Sequence, residues 1–236
     1  MTARREKASA REVTPARAAV LAQVAALVPE ATDGRCTRVG VDGVDGSGKT
    51  VFAAELAEAL RATGREVVQV SLDDFHHVRE LRHRRGRTSP EGFWLDSFDY
   101  PRFAAEVLRP LGPGGSGRYR PRGHDLATDE VLDEPFAVAP EGAVLVVDGL
   151  FLHRTELEGL WDFTVFLDVP FEVTAARMAV RDGTHPDPEH PTMARYVQAQ
   201  RRYFAERPPW TRADVVVGNA DVERPALATP TLGACP

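Results

Sequence analysis

Apolar positions along the chain fall into two alternating rhythms. Ala18, Leu21, Val24, Ala25 and Leu27-Val28 recur at helical spacing behind Thr14-Pro15, which supply an N-cap and a first-turn proline; Pro29 ends the run. Residues 38–42 then read as a short buried strand that enters a glycine-rich turn, and residues 50–62 as an amphipathic helix closed by Gly64. A second strand over 66–71 runs into Leu72-Asp73-Asp74-Phe75. Residues 76–98 are polar and rich in Arg and His, which predicts loop with a short helix. Residues 100–111 predict a helix, followed by a turn in Gly-Pro-Gly-Gly-Ser-Gly. Three prolines in 118–140 leave room for short strands at most. Buried strands follow at 143–147 and 163–168, helices at 171–182 and 192–206, and a last strand at 214–217.

Apolar strands alternating with helices need cover on both faces of a sheet. The predicted fold is a single α/β domain over 13–224 with a mostly parallel, five-stranded sheet. Residues 1–12 are expected to fray, and the Pro-rich tail over 225–236 to be loose.

The 236 residues carry 29 basic and 35 acidic side chains, a net charge of −6, which argues against nucleic acid as the main partner. Apolar runs fall short of the ~20 residues of a membrane span, and the charged start leads into no apolar stretch of a secretory signal. Two cysteines, Cys36 and Cys235, make no disulfide framework, so a reducing cytoplasm is the expected location. Only Lys7 and Lys49 are lysines; the other 27 cations are arginines. A surface arginine is therefore first a solvated residue, and a retained lysine the more informative one.

Lys49 lies in Gly43-Val-Asp-Gly-Ser-Gly-Lys-Thr50, which fits G-x-x-x-x-G-K-[ST] between a strand and a helix. Glycines let backbone N–H groups curl around phosphates, and the following helix points its positive end at them. Gly43, Asp45, Gly46, Ser47, Gly48, Lys49 and Thr50 are thus the expected nucleotide contacts, with the Thr50 hydroxyl on Mg²⁺. This makes the fold class that of the P-loop NTPases.

Ligands in such sheets sit beyond the carboxyl ends of the strands. Asp73-Asp74, Asp148 and Asp168 fall there. A kinase acting on an alcohol needs one carboxylate to accept the hydroxyl proton and another near Mg²⁺. Asp73 suits the first role and Asp148 the second, while Asp168 before Val169-Pro170 reads as a cap for the next helix.

The phosphate loop, Ser71-Leu-Asp-Asp-Phe-His76, Trp94-Leu-Asp-Ser-Phe-Asp99, Tyr119 with His124, and Arg177 with Arg181-Asp182 occur in the order found in the uridine kinase family, which the chain resembles over about 38–217. The resemblance implies Asp73 as the catalytic base, Asp148 as the Walker B acid, Tyr119 and His124 in the acceptor pocket, and Arg177 and Arg181 on a lid spanning about 177–195. It also implies ATP and Mg²⁺ as cofactors and a small nucleoside-like hydroxyl acceptor, without nucleic acid or membrane, and allows a homo-oligomer. The chain departs from the family where Pro121 replaces an aromatic, where Phe93 replaces an acid, and in 183–191, which lacks an Arg-Gly-Arg segment. Phosphate chemistry therefore transfers further than uridine does; pantothenate or another non-nucleoside alcohol is the alternative acceptor. A regulatory nucleotide switch is the rival of another class, but Gly218-Asn-Ala-Asp221 lacks the lysine of a guanine-reading segment. The third strand is also not followed by the Asp-Arg-[Tyr/His/Ser] of thymidylate kinases.

Overall fold

Side chains alternate across a strand, and in this chain both sets are apolar. In β7 (Val144–Gly149), Val144 and Val146 face one cluster with Val39, Val41, Phe52, Leu56 and Val165, while Leu145 and Val147 face another with Phe103, Phe151 and Tyr203. A strand buried on both faces belongs inside a layered α/β sheet.

The computed structural model describes residues 13–32 and 35–228. Helix α1 (Pro15–Leu27) begins as expected, with the Thr14 hydroxyl accepting the Arg17 N–H. Strand β1 (Thr37–Gly43) leads through the glycine loop to α2 (Lys49–Ala62), and β2 (Val67–Ser71) runs into a 3₁₀ turn over Leu72–Phe75. Short helices α3 (Arg79–Arg82) and α4 (Pro90–Asp96) punctuate the polar stretch. The expected helix over 100–111 is shorter: α5 (Tyr100–Phe103) passes into a π-helical turn ending at Leu108, where the Arg109 N–H reaches back to the Ala104 carbonyl. The Pro-rich excursion forms two small ribbons, β3 (Arg118–Tyr119) with β6 (Ala137–Val138) and β4 (His124–Asp125) with β5 (Glu130–Val131). After β7 come β8 (Phe163–Asp168), α6 (Phe171–Asp182), α7 (Ala194–Glu206), β9 (Val215–Gly218) and β10 (Ala226–Ala228).

The sheet has six strands, not five, in the order β10-β9-β8-β1-β7-β2. The extra one, β10, pairs antiparallel with β9 and covers its edge, so Ala226–Ala228 are not loose as expected of the tail over 225–236; residues 229–236 lie outside the described residues. The three residues of β10 carry too little pattern to be seen in the sequence. The expectation that residues 1–12 fray lies outside the described residues. All other sheet pairings are parallel, with β1 between β7 and β8. The loops after β1, β2 and β7 therefore converge at one end of the sheet. No described helix is long and apolar enough to cross a membrane.

Candidate active site

The glycine loop leaves no room for side chains. A Cβ on Gly43 would stand 2.6 Å from Ser47 Oγ, and one on Gly46, at φ +78°, would stand 2.6 Å from the Thr174 carbonyl oxygen. Gly48 has φ +89° and opens α2, whose first turn has no side-chain cap. Its leading N–H groups are thus available to an anion. Lys49, 7% exposed as a residue, sits inside the loop with Nζ 3.5 Å from the Val44 carbonyl oxygen. Glycine at these positions, together with the uncapped helix, forms a cradle of the shape a phosphate chain needs.

Beside the cradle, the Thr50 hydroxyl donates to Asp148 Oδ2 at 2.7 Å. Register explains the meeting: β1 and β7 run parallel with Asp42 opposite Gly149, so Asp148 ends level with the loop. Two hard oxygens side by side suit Mg²⁺.

Asp73 follows β2 on the same end of the sheet. Ser71 caps its turn, accepting the Asp73 N–H at 3.3 Å, so neither aspartate is needed for that purpose. The Asp74 carboxylate accepts from Arg122 Nε at 3.4 Å, whereas Asp73 lies within Coulombic reach of both Arg181 and His76. Arg181 also feels Asp45 in the glycine loop. Lys49, Thr50, Asp45, Asp148, Asp73 and Arg181 thus gather around one cleft.

The other expected residues are placed differently. Arg177 turns to the back of the loop. Its guanidinium donates to the carbonyls of Gly46 and Ser47 at 3.3 and 3.4 Å, and to those of Asn219 and Ala220 at 3.0 and 2.8 Å. It is a clamp on the cradle's backbone. Tyr119 is half-buried against the core and feels the Cys36 thiol, which precedes β1 at the opposite end of the sheet. It is therefore not brought to the cleft. His124 is 1% exposed, with Nε2 3.4 Å from Asp129 Oδ1, and burial holds its pKa below the ordinary imidazole value. It lies close enough to His76 to influence it, so it stands behind the acceptor side of the cleft. Asp168 does not cap α6, which has no side-chain cap. Burial raises its pKa, and its backbone carbonyl receives the Asn219 N–H.

Several supporting residues escaped the sequence reading. Asp42 is fully buried at the end of β1, where it accepts the Gly43 N–H at 2.7 Å and the Tyr203 hydroxyl; Tyr203 in turn accepts the His153 N–H at 3.1 Å. Burial pushes the Asp42 pKa up, against the pull of His153, Tyr203, the Gly43 N–H and Lys49. On the same helix as Tyr203, Gln200 donates to Asp45 Oδ2 at 3.0 Å. Asn219 is also fully buried; its amide donates to the Ser47 carbonyl at 2.7 Å and accepts from Arg17 at 3.0 Å. The one available signal was Asn219 just after the last strand, and this braced position gives it no guanine to read.

Similarity to known proteins agrees with this geometry. The model of the phosphoribulokinase / uridine kinase family matches residues 39–217. A thymidylate kinase of Bordetella petrii is 30% identical over 179 residues, covering 72% of this chain and 80% of the relative. A uridine kinase of Brevibacillus brevis is 27% identical over 197 residues, covering 80% and 87%. Among solved structures, a candidate fructose transport system kinase from Silicibacter sp. TM1040 superposes with a TM-score of 0.66 at 27% identity, covering 84% of this chain and 98% of that one. With the family model spanning the loop, both strand-end acids and helix α6, the chain belongs to the phosphoribulokinase / uridine kinase family.

Proposed function

We propose that this phosphotransferase moves the γ-phosphoryl group of ATP, with Mg²⁺, to a hydroxyl of a small metabolite. The observation that carries the reading is the Thr50–Asp148 contact beside a glycine cradle, with Asp73 just past Ser71, the register partner of Asp148. Lys49 and the N–H groups of the cradle would hold the β- and γ-phosphates, and the oxygens of Thr50 and Asp148 would hold the metal or its water shell. Bound Mg²⁺ supplies positive charge to the phosphate oxygens. Asp73 takes the acceptor's hydroxyl proton as that oxygen bonds to the γ-phosphorus. The bond from this phosphorus to the β,γ-bridging oxygen breaks, and ADP leaves with the electron pair. Arg181, near Asp45 and Asp73, offsets negative charge on the transferring group.

A nucleoside such as uridine or cytidine is the acceptor that the family likeness favours. A non-nucleoside alcohol is the second reading, favoured by one observation: Phe93 stands where the family's acid is expected and carries the Arg195 guanidinium over its ring at 5.0 Å. The test is ADP release with Mg·ATP against uridine, cytidine, other ribosides, pantothenate and simple sugars, each product identified by mass. A phosphorylated riboside supports the first reading and another phosphorylated alcohol the second. ADP release that no acceptor stimulates would remove the kinase assignment.

A further inference from the structure

The acceptor side of the cleft is unusually cationic. Residues 79–87 hold five arginines and one acid, Glu80. Three of the five are neutralised locally: Arg84 and Arg85 bracket the buried Asp96 at 2.5 and 2.9 Å, and Arg82 meets Asp129 at 3.0 Å. Arg79 and Arg87 form no ion pair with a described residue, and neither does Arg195 at the start of α7. Arg195 is half-buried, lies on Phe93, and donates to the Arg87 carbonyl at 2.7 Å. That bond fastens the first turn of α7 to the arginine-rich segment, while Tyr196 packs edge-on against the same Phe93 ring at 5.3 Å.

Electrostatic influence links these groups to the cleft. Asp73 acts on His76, and His76 feels Arg82. Arg82 and Arg195 repel one another, Arg195 feels Asp45, and Arg181 feels both Asp45 and Asp73. His83, inside the arginine cluster, is held below its ordinary pKa by burial and then by Arg195, Arg82, Arg87 and Arg79. Asp45 and Asp73 lie on the phosphate-transfer side; on the far side Asp129 and Asp96 are taken up by Arg82, Arg84 and Arg85, which leaves Arg79, Arg87 and Arg195 without a carboxylate partner among the described residues. In a chain with 27 arginines a solvated cluster is ordinary, but solvation alone does not explain a half-buried arginine stacked on an aromatic ring in an acceptor cleft.

We infer that the acceptor carries a negative group, a phosphate or a carboxylate, which Arg195 and Arg87 hold while its hydroxyl meets Asp73. Guanidinium forks bind such oxyanions in two-point fashion. This inference rests on the kinase reading above and sharpens its second form.

The experiment compares matched pairs with Mg·ATP on the full chain: ribose with ribose 5-phosphate, glycerol with glycerate, and uridine with uridine monophosphate. The charged member of at least one pair is expected to give a kcat/KM at least about tenfold higher, and the pair that responds separates phosphate from carboxylate. Arg195→Ala should raise the KM for that acceptor about tenfold or more and leave the KM for ATP within about twofold, with Arg195→Lys intermediate. Neutral members used as well as charged ones, or an Arg195→Ala effect confined to ATP, would overturn the inference and leave the kinase reading standing. If no member of any pair, and no acceptor of the wider panel above, stimulates ADP release, the kinase reading fails. Calorimetry then decides the anion site by itself: ribose 5-phosphate or glycerate must bind more tightly than ribose or glycerol, and Arg195→Ala must abolish the difference.

Discussion

Thr50 Oγ1 donates to Asp148 Oδ2 at 2.7 Å, joining the first residue pair of α2 to the end of β7 across 98 positions of sequence. Both oxygens belong to the cradle's rim, and either can serve a metal when the other is held still. Thr50→Ala and Asp148→Asn should each raise the Mg²⁺ concentration needed for half-maximal turnover by about 10- to 100-fold, the usual cost of losing a metal-site partner. Titrating ADP release with Mg²⁺ at saturating ATP measures this. An unchanged Mg²⁺ requirement in both variants would place the metal elsewhere.

Asp73 is assigned the proton. Asp73→Asn keeps the shape of the side chain and removes its basicity, so turnover should fall by about 10²- to 10⁴-fold. ATP affinity, read by calorimetry, should stay within about twofold, because Lys49 and the cradle are untouched. Near-normal turnover would remove Asp73 from the role.

Gly46 stands at φ +78° with the Thr174 carbonyl 2.6 Å from where a Cβ would lie. Gly46→Ala therefore meets two penalties together, the left-handed backbone and a clash with main chain that has no rotamer to move. Nucleotide affinity should fall by at least about tenfold, with a lowered unfolding midpoint. Gly64, beyond the other end of α2 and also at positive φ but with open space around it, is the control, and Gly64→Ala should leave nucleotide affinity unchanged.

The His153 imidazole is buried and its Nε2 has no partner among the described residues. Burial holds its pKa below the ordinary imidazole value, even with Asp42 nearby. Below about pH 6.5 the unfolded chain therefore takes up a proton that the native state refuses. The contribution is complete above that pH and is lost as pH falls, by at most about 1.4 kcal/mol per pH unit for one group. Asp42, raised by burial, works in the opposite sense. The diagnostic is thus a difference: His153→Leu should flatten the decline in urea-unfolding free energy between about pH 7 and about pH 5.5. Parallel profiles for variant and wild type would rule out His153 as the source.

Much of the cradle was legible because phosphate geometry dictates its residue types. Gly43, Gly46, Gly48, Lys49 and Thr50 are what a loop of inward-pointing N–H groups requires, whatever the rest of the chain does. Asp73 and Asp148 were legible for a related reason: parallel strands bring their carboxyl ends together, so an acid after an apolar run announces its place. The brace behind the cradle was not. Tyr203 meets Asp42 across 161 residues and Gln200 meets Asp45 across 155, and no local pattern on α7 distinguishes these inward polar side chains from solvated ones. Arg177 illustrates the same limit. Its helical phase with Arg181 suggested a shared face, yet one guanidinium folds back onto four carbonyls while the other pairs with Asp182, within Coulombic reach of Asp45 and Asp73.

The clamp behind the cradle has a temporal side. Ser47 depends on Asn219, 172 residues later, and Asn219 is held in turn by Arg17, 202 residues earlier. A ribosome emitting this chain from its amino end therefore releases the loop long before the residue that fixes its shape. Until Asn219 has emerged and docked, Gly43–Thr50 is a sequence motif without a finished grip. The nascent protein is thus kept from holding nucleotide tightly until nearly all of its sheet exists.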